Sequence, residues 1–211
     1  MNIFIYGQRS FGAAALAALQ DAGHSIVGVA VSPQRQRKDK MVGAATLRGV
    51  RIYGDCDKMR AEDFPSGVDL VVSAHSHWMI SDAVLAKCKH GGIGYHPSLL
   101  PRHRGQDAVR WTIHMGDAIA GGSIYRLGPE CDKGDVLLQR FLHVAPGEDH
   151  HALWRRLFPE GVKMLVEAAA LIERGKCASL WTPQDERFAT WEPSWDRPRL
   201  QRPDLLMIDY K

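Results

Sequence analysis

Short apolar runs, each cut off by glycine or proline, alternate in the first half of the chain with stretches whose apolar residues recur at helical spacing. Ile3–Tyr6 reads as a buried strand ending at Gly7. Phe11–Ala22 reads as a helix with Leu16 and Leu19 on one side and Gly23 as its stop, and Ser25–Val31 as a second strand closed by Ser32-Pro33. A strand–turn–helix–strand opening predicts an α/β fold built on a doubly wound, Rossmann-like sheet. Val50–Tyr53, Val68–Ala74 and Gly92–Tyr95 continue it as strands. Ser81 or Asp82 can cap a helix running through Val84, Leu85 and Lys87, and Ala108–Met115 reads as a helix carrying Val109, Trp111 and Ile113. Gly122–Leu127 and Val136–Val144 are expected to pair, which gives a mostly parallel sheet an antiparallel edge.

Other stretches are less regular. His150–Glu173 has the pattern of a long amphipathic helix, with Phe158-Pro159-Glu160-Gly161 expected to kink or split it. Gln34–Lys40 is basic, polar and without an apolar face, so a solvated loop or a substrate-covering flap is expected there. From Gly175 onward Trp181, Trp191 and Trp195 recur among Pro183, Pro193, Pro198 and Pro203, as in a tail that wraps the domain or meets a partner. The chain is therefore expected to divide into a catalytic domain, 1–176, and a Trp/Pro/Arg-rich extension, 177–211.

With 211 residues the chain can bury one sizeable core. A net charge of +3 is too small to argue for nucleic acid and suits anionic small molecules. Cys56, Cys88, Cys131 and Cys177 show no C-x-x-C pair and no zinc-like spacing, so free thiols in a reducing compartment are expected. Cys131 reads as a packing or loop cysteine, although Asp132 adjoins it. The N-terminus lacks the features of a signal peptide and no apolar run approaches a membrane span, so a cytoplasmic protein is expected. His75 and His77 have no carboxylate or cysteine at ligand spacing, and no metal is expected.

Gly7-Gln8-Arg9-Ser10-Phe11-Gly12 is neither a dinucleotide fingerprint nor a P-loop. Its glycines serve a tight strand-to-helix turn, and an anion at the helix N-terminus, helped by Arg9, is the alternative. Two later loops carry more chemistry. In Tyr95-His96-Pro97-Ser98-Leu99-Leu100-Pro101 an imidazole leaves the end of a strand between prolines that fix the backbone. Alone, this is also the pattern of a hydrogen-bonded structural histidine. A second loop, Gly128-Pro129-Glu130-Cys131-Asp132-Lys133-Gly134-Asp135, sets acidic side chains among turn formers between two strands. Groups from the ends of different strands converge at one edge of an open sheet. No Ser-His-Asp order or G-x-S-x-G elbow is present.

Together the two loops resemble the folate-dependent formyltransferase family, whose hallmark is Asn-x-His-x-Ser-Leu-Leu-Pro followed by Asp-x-Gly at the end of a later strand. His96, Ser98, Leu99, Leu100 and Pro101 match the first motif, and Asp132 and Gly134 the second, 36 residues on. Within the family the chain resembles most the hydrolase domain of the 10-formyltetrahydrofolate dehydrogenases, through Tyr95–Gly105, Asp135–Gln139 and Leu157–Gly161. The likeness runs from Met1 to about Lys176.

The resemblance implies a formyltransferase fold, 10-formyltetrahydrofolate as donor and no metal. His96 would bond the formyl oxygen or shuttle a proton, and Asp132 would orient an amine or water, take up its proton and support imidazolium charge. Trp78, Met79, Ile80 and Leu85 would line a pterin pocket, with Gly128, Glu130, Cys131 and the rest of that loop as its other wall. The acceptor would approach along Gln8, Arg9 and Gly12. Ser98, also on the substrate side, suits a backbone-bonding turn role rather than a nucleophile.

One departure is Gly94, where the family has asparagine; it removes a donor whose loss commonly costs ~10²–10³ in rate. Three readings follow: transfer of formyl to an amine of a small molecule or sugar nucleotide, hydrolysis to formate and tetrahydrofolate, or a folate- or partner-binding module with little catalysis. The expected partner is a small-molecule formyl acceptor, with no nucleic acid and no membrane, and with a homodimer through the extension as a possibility.

Overall fold

A computed structural model describes residues 1–32, 39–54 and 59–195. Cys56, Pro33, Gln34 to residue 38, Pro198 and Pro203 lie outside these residues. Seven strands, β1 (Asn2–Gly7), β2 (Ser25–Ala30), β3 (Ile52–Tyr53), β4 (Leu70–Ala74), β5 (Gly92–His96), β6 (Ile119–Arg126) and β7 (Val136–His143), form one sheet in the order β3-β2-β1-β4-β5-β6-β7. β3 to β5 in that order are parallel; β5–β6 and β6–β7 are antiparallel, so the expected architecture is the one observed.

Both faces of the sheet are covered. In β1 the side chains alternate: Ile3 and Ile5 enter an apolar cluster with Leu16, Leu19, Leu165 and Ala169, while Phe4 and Tyr6 enter another with Val71, Val84 and Leu85. A two-residue period with both faces buried is what a central parallel strand requires. The first cluster docks helices α1 (Arg9–Asp21) and α5 (His150–Glu173). Each fully buried Ile or Leu there contributes about 1.5–3 kcal/mol. Among the described residues no helix is long and apolar enough to cross a membrane.

Two expectations change. The polar run expected to stay in a loop through Lys40 instead enters helix α2 (Lys40–Leu47) there. Asp39 Oδ1 accepts from the Met41 N–H at 2.8 Å, which is the capping bond that starts α2. Helix α5 also runs unbroken through Pro159. Pro159 is exposed, and the buried stripe Leu153, Leu157, Gly161, Met164, Leu165 holds the helix on both sides of it. The Tyr95 ring packs where a Cβ on Gly161 would come within 2.5 Å of its Cζ. Tertiary packing of this kind outweighs the backbone bond that proline removes.

Two further helices, α3 (Asp82–Leu85) and α4 (Ala108–His114), lie beside the sheet's carboxyl edge; Ser81, not Asp82, caps α3 by accepting from Val84 N–H at 3.4 Å. After α5 the chain returns across that edge. Thr182 makes a two-bond bridge with Val136, and Thr190 bonds Pro101 and Arg104. The expected boundary at 176 falls just past α5, and residues 177–195 make their hydrogen bonds largely back into the preceding chain.

Candidate active site

β5 delivers His96 at its carboxyl end, opposite Ser123 of β6. The loop that follows is fastened to β6 and β7. Ser123 Oγ donates to Ser98 O at 2.7 Å and accepts from Leu100 N at 3.1 Å, and Gln139 Nε2 donates to Leu100 O at 2.9 Å. Ser98 Oγ donates to Arg102 O at 2.6 Å and the residue is 2% exposed, so it is a turn residue and does not face the cavity described below. The loop returns to His96 through a 2.6 Å bond between His96 Nε2 and His103 O. A carbonyl can only accept, so this contact assigns a proton to Nε2 and leaves Nδ1 turned toward Asp132.

Asp132 stands on the β6–β7 loop with φ 55°, in the left-handed region. Asp tolerates that conformation better than most residues. Gly134 is required for a different reason: a Cβ there would lie 1.8 Å from Arg126 O, so only glycine lets the loop close on β6. The Asp132 carboxylate lies 3.6 Å from His96 Nδ1 through Oδ2. That is too long for a direct hydrogen bond and close enough for one substrate or water atom to touch both. Tyr125 OH donates to Oδ1 at 2.7 Å, and Gly105 N–H donates to Oδ2 at 2.8 Å. Burial works to raise the Asp132 carboxyl, but His96, the Tyr125 hydroxyl, the Gly105 N–H and the Cys131 thiol together hold it below the ordinary carboxylate range. It is therefore ionised at neutral pH.

Cys131 is exposed as a residue, yet its sulfur turns inward to Asp132 Oδ2 at 3.4 Å. Desolvation, then the Asp132 charge, pushes the thiol up to about 12, which makes it a donor rather than a nucleophile.

His96 and Asp132, each 6% exposed, form part of the wall of a cavity of about 1030 Å³ at the carboxyl ends of β1, β4 and β5. This is the crevice where the strand order reverses beside β1. Trp78, Met79, Ile80, Gly128, Glu130 and Cys131 line it, and Arg9 does too. Leu85 does not: it is buried in the apolar cluster under the sheet with Val84 and Phe4. Gln8 and Gly12 also stand back from the cavity. Gln8 is 3% exposed, and a Cβ on Gly12 would come within 2.7 Å of Met41 Sδ. At the start of α1, where a bound anion was the alternative to a plain turn, the chain supplies its own carboxylate: Asp39 Oδ1 accepts from Arg9 N–H at 2.7 Å. A second hollow of about 430 Å³, over Gly122, Phe141 and Met164, contains neither His96 nor Asp132.

Several lining residues had no signal in the sequence pattern. Tyr125 reaches Asp132 because β5 and β6 pair Gly94 with Tyr125. Arg110, His150, His151 and Trp154 arrive from α4 and α5, and Trp191, Glu192, Pro193 and Ser194 from the extension. Gln184 Nε2 donates to the carbonyls of Asp132 at 2.8 Å and Gly134 at 2.7 Å, which fixes the loop from behind. Arg104, 3% exposed, orders that stretch through Gln184 Oε1 and Glu186. Among the described residues no group of three or more His, Cys, Asp or Glu is arranged to hold a metal ion.

Comparison with known proteins gives relatives that include 10-formyltetrahydrofolate dehydrogenases and a methionyl-tRNA formyltransferase. Mitochondrial 10-formyltetrahydrofolate dehydrogenase of Mus musculus is 39% identical over 94% of this chain and 23% of its own length. Cytosolic 10-formyltetrahydrofolate dehydrogenase of Homo sapiens is 35% identical over 94% of this chain and 24% of its own. The chain thus spans about a quarter of the length of these dehydrogenases. Among solved structures, glycinamide ribonucleotide transformylase 1 from Symbiobacterium toebii superposes with a TM-score of 0.72 at 22% identity, over 88% of this chain and 94% of that one. An N-formyltransferase from Helicobacter canadensis, in complex with folinic acid and dTDP-3-aminofucose, gives 0.76 at 13% identity, over 94% and 72%. At these identities the structures speak for the fold. The formyl transferase family model matches residues 57–169, a segment that holds both the His96 strand end and the Asp132 loop, and the chain belongs to the formyl transferase family.

Proposed function

We propose that the protein takes the formyl group of 10-formyltetrahydrofolate and passes it to an amine of a small-molecule or sugar-nucleotide acceptor. The observation that carries this reading is the meeting of His96 and Asp132 in a cavity at the upper end of the size range of ligand pockets. Trp78, Met79, Ile80 and the loop from Gly128 to Cys131 suit a flat pterin, and Arg9 and Arg110, also in the lining, suit an anionic acceptor.

In the reaction the acceptor nitrogen bonds to the formyl carbon and the N10–carbon bond breaks. The acceptor nitrogen loses one proton and N10 gains one. Asp132, held ionised, orients the attacking amine, receives its proton and supports positive charge on the imidazole. His96 has its Nε2 proton engaged by His103 O, so it donates to the formyl oxygen or passes a proton from Nδ1 once that nitrogen is protonated too, as the imidazolium that Asp132 supports. Charge developing on that oxygen is met by a fixed group rather than by reorganising water.

A second reading, hydrolysis to formate and tetrahydrofolate, is favoured by Gly94, which leaves this chain without the family amide donor. In that case water takes the place of the amine beside Asp132.

Tetrahydrofolate release, measured with and without candidate amines on wild type and His96→Ala, separates the readings. Release that requires an amine supports transfer, and release without one supports hydrolysis. Equal rates in the two proteins remove His96 from the mechanism, and folate binding without turnover leaves only a binding module.

A further inference from the structure

We propose that Tyr125 is a positioning residue for Asp132 and takes the space that the family's asparagine would fill at position 94, so that this site anchors its carboxylate through a phenol. The inference rests on the proposed folate chemistry for its kinetic readout only. A Cβ added to Gly94 would lie 2.9 Å from Tyr125 Cε1, 3.1 Å from Tyr125 Cζ and 3.1 Å from Leu127 Cδ2. A larger side chain at 94 and the present Tyr125 ring therefore exclude one another. The ring is held there by strand pairing, since Gly94 and Tyr125 are partners across β5 and β6.

What the phenol does with that position is visible in its contact. Its one hydroxyl proton goes to Asp132 Oδ1 at 2.7 Å, inside a residue 8% exposed. Burial, then the Asp132 charge, keeps the phenol well above its ordinary range, so it stays a donor throughout the working pH. The phenol consequently does not restore an amide donor to the formyl oxygen. It occupies Oδ1 and, with Gly105 N–H on Oδ2, fixes the plane of the carboxylate and its approach to His96 Nδ1. The phenol thus anchors a base held ionised at neutral pH, from a place that a side chain at 94 would have to contest.

The groups facing Asp132 are His96 from β5, Tyr125 from β6, the Gly105 N–H, and Cys131 from its own loop; Glu130 and Lys133 of that loop pair with each other. Gln184 from the extension meets only its backbone carbonyl.

Tyr125→Phe removes one oxygen and keeps the ring against Gly94, so the fold is preserved. It should lower kcat roughly tenfold or more with the folate KM nearly unchanged. Loss of a bond to the ionised form should raise the Asp132 pKa, moving the acid limb of the kcat profile to higher pH, and carboxyl ¹³C titration of Asp132 should report the same upward shift without turnover. Gly94→Asn should impair the wild type and impair Tyr125→Ala less, because the space is then open. A Tyr125→Phe enzyme with wild-type kcat and an unmoved acid limb overturns the inference. Should the wild type release no tetrahydrofolate at all, the proposed function fails while the positioning role is decided by titration: a raised Asp132 supports it and an unchanged Asp132 overturns it.

Discussion

The backbone of His103 holds His96 while its ring is held by two carboxylates. His103 O lies 2.6 Å from His96 Nε2, His103 Nδ1 lies 2.9 Å from Glu192 Oε1, and His103 Nε2 lies 2.8 Å from Asp117 Oδ2. The orientation of the reacting imidazole is thereby tied to residue 192, far along the chain. Glu192→Ala should cost about 1–3 kcal/mol, because it leaves a buried ring nitrogen without a partner. It should also lower kcat more than it changes KM. Urea unfolding and steady-state kinetics check both; unchanged kcat in a correctly folded variant would show that His103 needs no second carboxylate.

Asp117 gives a pH prediction with a definite sign. Burial pushes its carboxyl up, but bonds from Arg102 and His103 outweigh that and hold it below its ordinary value. A lowered folded pKa contributes stability that is fully present above the unfolded value, about 3.9, and is lost as pH falls through the folded value. Asp117→Asn should therefore destabilise the protein at pH 7 by about 2 kcal/mol. The gap to wild type should narrow as pH falls below that unfolded value and close once the folded carboxyl is protonated. A gap that persists unchanged into acid would locate the effect in packing instead.

Cys131 should be a poor target for alkylation despite its exposure. With its thiol near 12, the thiolate fraction at pH 8 is about 10⁻⁴. Iodoacetamide labelling followed by mass spectrometry should find Cys131 modified far more slowly than an ordinary free cysteine. Cys131→Ser keeps a donor beside Asp132 Oδ2 and should retain most of the activity.

Pro159 sits exposed in an unbroken helix. Replacing it with alanine restores a backbone N–H and removes the ring's clash with the preceding turn. Pro159→Ala should stabilise the protein by about 1–3 kcal/mol, read as a rise in Tm. A fall would mean that proline at 159 contributes packing that outweighs its backbone cost.

How much of this was legible in the sequence follows the range of the interactions concerned. The sheet was legible because Ile3 and Ile5 face one cluster and Phe4 and Tyr6 the other, a pattern local to one strand. His96 was legible because Pro97 and Pro101 act on neighbouring residues. Helix α2 was hidden, since only Met41 and Ala45 reach the core and its cap, Asp39, closes a basic run. The resemblance implied Leu85 in the cavity beside Trp78, but the short α3 turns it under the sheet. Tyr125 and Gln184 needed facts that no local pattern holds: the register between β5 and β6, and a contact across 52 residues.

That last contact has a consequence for how the site comes into being. Gln184 grips the backbone of Asp132 and Gly134 from a segment made after every strand of the sheet is complete. In order of synthesis, all seven strands and the His96 loop therefore precede the residue that locks the base beside them. A nascent chain halted ahead of residue 184 would hold all the motif residues and still lack the clasp that sets them for work.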